Sequence, residues 1–136
     1  MTNIKVGDSA STQKNFTAEE VFYYCQNISG DMNPVHVDEK VAQAMNFDHC
    51  IVPGILSSSL FGGLLGSTLP DARTVHLGQN SRFHKPVYVG ETVVATITVI
   101  AVREDKPIAT FYCVVKKENG ELAVEGEAVV KFPLSN

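Results

Sequence analysis

Residues 28–66 read ISGDMNPVHVDEKVAQAMNFDHCIVPGILSSSLFGGLLG, and this stretch decides the fold. It begins with a polar turn that carries Asp31, Asn33 and His36. Its last third opens at Pro53-Gly54, contains no Asp, Glu, Lys or Arg, and is apolar around most of a helical circumference, which is typical of a buried helix. A carboxylate and an imidazole near the start of such a helix are groups that can move a proton beside a carbonyl.

The size and charge of the chain restrict its class. A length of 136 residues predicts a single domain over residues 1–136 with one substantial core. The net charge of −4 provides no basic surface, so nucleic-acid binding is excluded as an expectation.

The cysteines and the apolar segments bear on location. Cys25, Cys50 and Cys113 are odd in number and far apart, without a CxxC spacing, so we expect three buried free thiols in a reducing cytoplasm and no metal site. The N-terminus lacks a signal pattern, and prolines, glycines and serines dilute residues 51–69 too much for a membrane span.

A helix is predicted before the polar turn. Thr17 and Glu20 form a capping box, Phe16 precedes it as one half of a hydrophobic staple, and Gly30 is suited to the residue after the helix. Its predicted apolar face consists of Val21, Phe22, Cys25 and Ile28.

Two further helices follow the turn. Residues 38–45 are predicted as a short helix capped by Asp38, with Val41, Ala42 and Met45 facing inward. The long buried helix is predicted from Gly54 to about Leu69. Its apolar residues are Ile55, Leu56, Leu60, Phe61, Leu64 and Leu65.

The second half of the chain predicts antiparallel strands. Alternating or β-branched runs cover residues 74–84, 91–102, 108–117 and 122–132, and Asn119-Gly120 is a strong hairpin signal. The fold class is therefore α+β, with a curved antiparallel sheet wrapped around the long helix and short helices beside it.

The polar turn has two interpretations on its residues alone. Asp and Asn stabilise turns through their own backbone, and Asn-Pro starts many turns, so Asp31 and Asn33 could be purely structural. A lone histidine such as His36 is also more often a structural residue with hydrogen-bonded ring nitrogens than a catalyst. No nucleophile elbow and no phosphate loop is present in the sequence.

Three segments together resemble a known family. Residues 29–36, SGDMNPVH, resemble the hydratase signature of the R-specific enoyl-CoA hydratases (hydratase 2), in the MaoC-like dehydratase group of the hot-dog fold. Residues 51–61, IVPGILSSSLF, are similar to the entry of the family's central helix, and residues 83–91, FHKPVYVGE, to a conserved strand segment. The chain departs from many relatives at Pro53 and at Gly62, where some relatives carry a hydroxyl residue.

This resemblance implies a reaction and its residues. The family hydrates trans-2-enoyl-CoA reversibly to (R)-3-hydroxyacyl-CoA. Asp31 and His36 match the catalytic positions and would activate one water, while the Gly54 N–H would bind the thioester carbonyl. No cofactor is implied, because coenzyme A is part of the substrate. The family also implies a homodimer, and a role in polyhydroxyalkanoate supply or fatty-acid breakdown.

Two sets of flanking residues complete the predicted site. The acyl pocket is expected beside the central helix, at Val41, Met45, Ile55, Leu56 and Ser59. The coenzyme A phosphates are expected near Arg82, Lys85 and Lys106.

Three alternatives stay open at this point. The chain could be a hot-dog acyl-CoA thioesterase, which directs water at C1 and releases a free thiol. It could be a 3-hydroxyacyl-carrier-protein dehydratase with the same chemistry on another handle. It could also be a non-catalytic acyl-CoA binding protein, which would have little reason to hold both Asp31 and His36.

Overall fold

A six-stranded antiparallel sheet and three α-helices make up the described part of the chain, residues 4–133, in the computed structural model. Residues 1–3 and 134–136 of the predicted 1–136 domain lie outside it. The helices are α1 (Ala18–Tyr23), α2 (Glu39–Ala44) and α3 (Gly54–Leu65), with a π-helical turn (Tyr24–Ser29) and a 3₁₀ turn (Pro34–His36). The strands are β1 (Ser9–Asn15), β2 (Val75–Gln79), β3 (Arg82–Phe83), β4 (Thr92–Val102), β5 (Ile108–Lys117) and β6 (Leu122–Lys131).

The sheet is built around the three long C-terminal strands. Its order is β1-β4-β5-β6-β2, and β3 also pairs with β6. The β5–β6 connection contains Gly120 at φ 86°, in agreement with the predicted hairpin. Alternate residues of β5 point into the core, and Phe111, Cys113 and Val115 are fully buried.

Helix α3 lies against this sheet. Phe61, Leu64 and Leu65 are buried, and the helix contacts β1, β4, β5 and β6. The predicted α+β architecture, a sheet wrapped around a central helix, is confirmed. No helix in residues 4–133 has the length and apolar character that a membrane crossing requires.

Two details of the α3 prediction are wrong. The helix ends at Leu65 rather than Leu69, and it is not covered all round. Ile55 is 63% exposed, and Ser59 and Gly63 are exposed at the same four-residue spacing. The sheet covers one side of a helix, so this stripe on the other side stays open within a single chain.

The predicted face of the first helix is half correct. The capping box of Thr17 and Glu20 is present, and Val21 and Cys25 are buried. Phe22 and Ile28 are 55% and 66% exposed. From Tyr24 onward the chain turns as a π-helix, whose wider turn rotates Ile28 away from the 3.6-residue face.

The predicted strand 74–84 is two strands. The chain breaks at Asn80, whose N–H donates to Glu127 O (3.0 Å), and whose Oδ1 accepts from the Glu127 N–H (3.1 Å). Val75, Leu77 and Phe83, predicted to share one side, are each more than half exposed. β2 is therefore an uncovered edge strand.

The short α2 helix forms a second small core. Asp38 caps it through Lys40 N–H and Val41 N–H, as predicted. Ala42 packs with Val35 and Cys50 in a cluster separate from the main core. Met45, predicted to face inward, is 46% exposed because the helix ends at Ala44 and Met45 leaves the helical path.

Candidate active site

The loop before His36 is built by side chains that bond the backbone two residues further on. Ser29 Oγ accepts from the Asp31 N–H at 3.1 Å, and Asp31 Oδ1 accepts from the Asn33 N–H at 3.1 Å. Asn33 Oδ1 accepts from the Val35 N–H, also at 3.1 Å. The turn role considered for Asp31 and Asn33 is thus present, but it uses only one oxygen of Asp31.

The second oxygen of Asp31 faces His36. Asp31 Oδ2 lies 3.1 Å from His36 Nε2, and the two side chains are on one surface of the loop. The Asp31 side chain is 41% exposed, whereas that of His36 is 9% exposed. An accessible carboxylate therefore sits at the edge of a nearly buried imidazole, where a small molecule could reach both.

The other ring nitrogen of His36 has a defined partner. His36 Nδ1 lies 2.7 Å from the carbonyl oxygen of Ile51. Because a carbonyl oxygen only accepts hydrogen bonds, Nδ1 carries a proton and donates it. Nε2 is then the nitrogen available for proton exchange, and it is the one that faces Asp31.

Backbone pairing holds the Ile51 carbonyl in place. The Ile51 N–H donates to Val35 O (3.2 Å), and Val52 N–H donates to Val87 O (2.7 Å). The Val89 N–H donates to Cys50 O (2.9 Å). Residues 50–52 are thus held between the 3₁₀ turn that carries Val35 and His36 and the segment 87–89, which limits the movement of the His36 ring.

Glu39 ties α2 to the same segment. Its Oε2 accepts from the Cys50 N–H (3.0 Å), and its Oε1 lies 2.6 Å from His49 Nδ1. These two bonds hold the pKa of Glu39 below its usual value, and the bond from His49 makes the larger contribution. Burial, with the adjacent Glu39, raises the pKa of the Cys50 thiol to about 11, so this cysteine is a packing residue rather than a nucleophile.

Gly54 begins α3 beside a cavity of about 320 Å³. A Cβ on Gly54 would lie 2.7 Å from two ring carbons of Phe83, so a larger residue at this position would require the Phe83 ring to move. Ile51, which bonds His36 through its carbonyl, also lines this cavity. The remaining lining residues are Phe47, Val52, Ser57, His84, Lys85, Pro86, Val87, Ala123 and Val124.

The start of α3 leaves backbone donors open. The N-cap residue is Pro53, which makes no side-chain cap bond. The Leu56 and Ser57 N–H groups donate to Pro53 O (3.0 and 3.2 Å), whereas the first N–H groups of a helix have no acceptor within it. Together with the helix dipole, these donors make a site for a developing oxyanion.

A second cavity, which sequence reasoning missed, is lined by His36 itself. It measures about 420 Å³, and His36, Glu39, His49 and Phe22 contribute to its wall. The exposed Phe22 was the available signal, but helical spacing assigned it to the core instead.

The predicted acyl-pocket residues are dispersed. Met45 and Ile55 are exposed, and Val41 and Leu56 are half-buried. Ser59 lines a separate cavity of about 320 Å³ next to Leu60. The residues that the structure brings together with Gly54 come instead from the 47–57 segment, from residues 83–87 and from β6.

The predicted coenzyme A cations are also separated. Lys85 reaches the Gly54 cavity, whereas Arg82 lines a surface groove of about 640 Å³ beside Glu125 and Glu127. Lys106 lies in the β4–β5 turn, next to the strand pair Ile108–Lys131. In the strand register, Arg82 lies opposite Glu125 of β6, whereas Lys106 lies near Lys131 at the end of the same strand. Arg82 and Lys106 are therefore separated by roughly 20 Å along β6 within one chain.

Comparison with known proteins gives consistent matches. Residues 5–119 match the family described as the MaoC like domain. The chain is 46% identical over 131 residues to the (R)-specific enoyl-CoA hydratase of Aeromonas caviae, covering 96% of this chain and 97% of that protein. It is 36% identical over 133 residues to the enzyme of the same name from Rhodospirillum rubrum, covering 96% and 90%.

A solved structure agrees with the fold. The (R)-hydratase from A. caviae involved in PHA biosynthesis superposes with a TM-score of 0.94 at 45% identity, over 98% of this chain and 100% of that one.

The six-stranded antiparallel sheet wrapped around α3 is the hot-dog fold of the hydratase that it superposes on. The chain belongs to the MaoC-like domain family.

Proposed function

We propose that this protein is a hydro-lyase that hydrates trans-2-enoyl-CoA to (R)-3-hydroxyacyl-CoA, reversibly. The observation that carries the proposal is the 3.1 Å contact between Asp31 Oδ2 and His36 Nε2, with His36 bonded to Ile51, which lines the same cavity as Gly54. The family membership and the two similar hydratases support it.

The chemistry follows from the geometry of the pair. One water binds against both side chains, within reach of the Asp31 carboxylate and of His36 Nε2, and Asp31 accepts a proton from it while His36 holds and polarises it. The resulting hydroxide adds to C3, and the electrons of the double bond move toward the thioester oxygen. The proton taken up by the pair is then delivered to C2. The hydroxyl group at C3 and the proton at C2 therefore come from one water and add on one face of the double bond.

The thioester is held by α3. The Gly54 N–H would bond the carbonyl oxygen, and its donation strengthens as negative charge develops there. Glycine suits this position because the Phe83 ring already occupies the space of a Cβ. Asp31 and His36 supply the proton transfers, so the proposed reaction uses no cofactor.

The proposed substrates are those of the family, trans-2-enoyl thioesters of coenzyme A. The cavity beside Gly54 has mostly apolar walls and includes Lys85 in its lining, so Lys85 is the predicted cation best placed for a coenzyme A phosphate. Arg82, Lys106 and the acyl-pocket residues Val41, Met45, Ile55, Leu56 and Ser59 remain parts of this proposal. A supply of (R)-3-hydroxyacyl thioesters for polyhydroxyalkanoate, or a step of fatty-acid breakdown, would use this activity.

Two further features belong to the proposal. The exposed edge strand β2 supports a homodimer with a sheet continued across the two chains. The three cysteines, all free and buried, support a cytoplasmic location.

Crotonyl-CoA provides the test. We expect the ultraviolet absorbance of the conjugated enoyl thioester to fall when protein is added, and chiral analysis to give the (R)-3-hydroxy product. Release of free thiol would identify a thioesterase instead, and an unchanged absorbance would indicate a binding protein. A higher rate with the carrier-protein thioester than with crotonyl-CoA would indicate a carrier-protein dehydratase.

A further inference from the structure

Ser57 carries a buried hydroxyl with no partner. The residue is 1% exposed, and its Oγ makes no hydrogen bond with any of residues 4–133. The neighbouring serines of α3 differ, because Ser58 Oγ donates to Ser81 Oγ (3.0 Å) and Ser59 Oγ donates to Leu56 O (2.5 Å). Ser57 is therefore the serine of this run whose hydroxyl is left open.

An unpartnered buried hydroxyl is costly for folding. Leaving such a group without a bond costs the free energy of its lost hydration, and a small apolar side chain in its place avoids that cost. Buried polar groups that persist without a partner are candidates for contact with a ligand. The position of Ser57 indicates which ligand atom is within reach.

Ser57 lies one helical turn after Gly54 and lines the same cavity of about 320 Å³. Three residues of α-helix advance about 4.5 Å along the axis, and the Cα–Cβ bond of every helical residue tilts toward the N-terminus. The Ser57 Cβ therefore leans back toward the first turn, where the open N–H groups lie, and its hydroxyl is within a short reach of them. An oxygen atom bound at the Gly54 N–H would be near both donors.

We propose that Ser57 Oγ–H is a second hydrogen-bond donor to the substrate's thioester oxygen, completing with the Gly54 N–H a two-donor oxyanion site. This inference rests on the proposed hydratase function and adds a catalytic residue to it. The hydroxyl donates without losing its proton. As hydroxide adds to C3, the thioester oxygen gains negative charge and its two hydrogen bonds, from Gly54 and Ser57, shorten. When C2 takes up the proton, the electron pair on this oxygen forms the C=O double bond again and the charge is lost.

A purely structural serine and a catalytic one differ in how the thermal midpoint changes when the hydroxyl is removed. Removal of a structural hydroxyl lowers the thermal midpoint, whereas removal of an unpartnered buried hydroxyl leaves the midpoint unchanged or raises it. We therefore expect Ser57→Ala to reduce kcat for crotonyl-CoA at least tenfold, toward the roughly 100-fold loss typical of one oxyanion donor, with KM changed little and the midpoint not lowered.

Two matched comparisons isolate the hydroxyl. Ser58→Ala, in the same turn but facing Ser81, should keep the wild-type kcat. Ser57→Thr and Ser57→Val add the same bulk and differ only in the hydroxyl, so Thr should retain several-fold more activity than Val even if both lose some.

A spectroscopic measurement reads the contact directly. In an Asp31→Asn background, which should bind enoyl-CoA without turnover, the absorbance of the bound conjugated thioester should shift to the red as its carbonyl is polarised. Ser57→Ala should shrink that shift. An unchanged shift, or equal activities of the Thr and Val variants, would overturn the inference. Absence of wild-type hydration would instead remove the function on which it rests.

Discussion

The Asp31–His36 pair combines two opposite environments within five residues of chain. His36 is buried and anchored by the Ile51 carbonyl, while Asp31 stays partly exposed and is anchored by a backbone N–H. Each side chain thus has one atom committed to positioning and one atom left for chemistry. This division allows the loop to be a well-formed turn and still leave one atom of each side chain for the proposed reaction.

Substitution of either member should abolish most activity without unfolding the protein. Acid–base assistance contributes about 10²–10⁴-fold, so Asp31→Asn and His36→Gln should each lower kcat at least about 100-fold. Steady-state hydration of crotonyl-CoA measures the loss, and circular dichroism with a thermal midpoint checks folding.

The control is Asp105→Asn, which removes a carboxylate from an exposed turn paired with Arg103 (2.6 Å). It should keep the wild-type rate. Near-full activity of Asp31→Asn would show that Asp31 is not the base.

Among the secondary elements, the segment between β3 and β4 is held by one buried cation. Lys117 is 8% exposed, and its Nζ donates to Pro86 O (2.7 Å) and lies 3.3 Å from Glu91 Oε1. It also lies 4.6 Å from the centre of the Tyr88 ring. Since residues 87–89 clamp the segment that carries Ile51, Lys117 supports the active site from outside it.

Loss of this cation should destabilise the fold. Lys117→Met keeps the length of the side chain but leaves the Pro86 carbonyl without its donor and removes the cation beside Glu91, which costs about 1–3 kcal/mol. Urea unfolding measures the change. Lys116→Met, on the exposed face of the same strand, should change stability by less than about 0.5 kcal/mol. Equal effects of the two would contradict this role.

The crossing of the β2–β3 connection over β6 depends on Gly126. A Cβ at this position would lie 1.9 Å from the carbonyl oxygen of Asn80, which is backbone and has little freedom to yield. Gly126 is therefore required by the close approach of two chain segments, and not by an unusual backbone angle.

Gly126→Ala should destabilise the protein by several kcal/mol or prevent its folding, because the crossing must open. Gly63→Ala provides the comparison, since a Cβ there meets nothing within 4 Å and Ala favours a helix by about 1 kcal/mol. Thermal midpoints and expression as folded protein distinguish the two. A wild-type midpoint for Gly126→Ala would exclude the close crossing.

Among the apolar surfaces that the described residues expose, two are suited to contact with a second chain. One is the edge strand β2, with Val75 and Leu77 more than half exposed, and the other is the α3 stripe that begins at Ile55. An uncovered apolar edge strand favours pairing with another strand, and a second copy of this chain provides an identical edge.

Light scattering after size exclusion should therefore give the mass of a dimer. Leu77→Glu should shift the population toward monomer at micromolar concentration, because it places a charge on each of two adjoining edges. Val94→Glu, at an exposed position of the interior strand β4, should stay dimeric. A monomeric wild-type protein would remove the dimer from the proposal.

Much of this arrangement could be predicted locally. Thr17, Asp38 and Asn119-Gly120 act through groups within three or four residues, so caps and the hairpin appear in the pattern and in the structure alike. Asp31 and His36 were predicted as a pair from the resemblance of residues 29–36 to a family signature, and the structure places their side chains 3.1 Å apart. The misassigned residues, Phe22, Ile28, Met45 and Ile55, are those whose burial depends on where a helix changes pitch, where it ends and what covers it.

From the residues alone follow the α+β class, the order of helices and strands, and the polar turn at the start of a helix without charges. These depend on period, capping and turn chemistry, which act over a few residues of chain. Only the tertiary structure decided that the Ile51 carbonyl orients His36, that Phe83 covers Gly54, and that Ser57 keeps a buried hydroxyl without a partner. Those contacts join residues whose proximity arises from packing of distant segments, which local patterns do not encode.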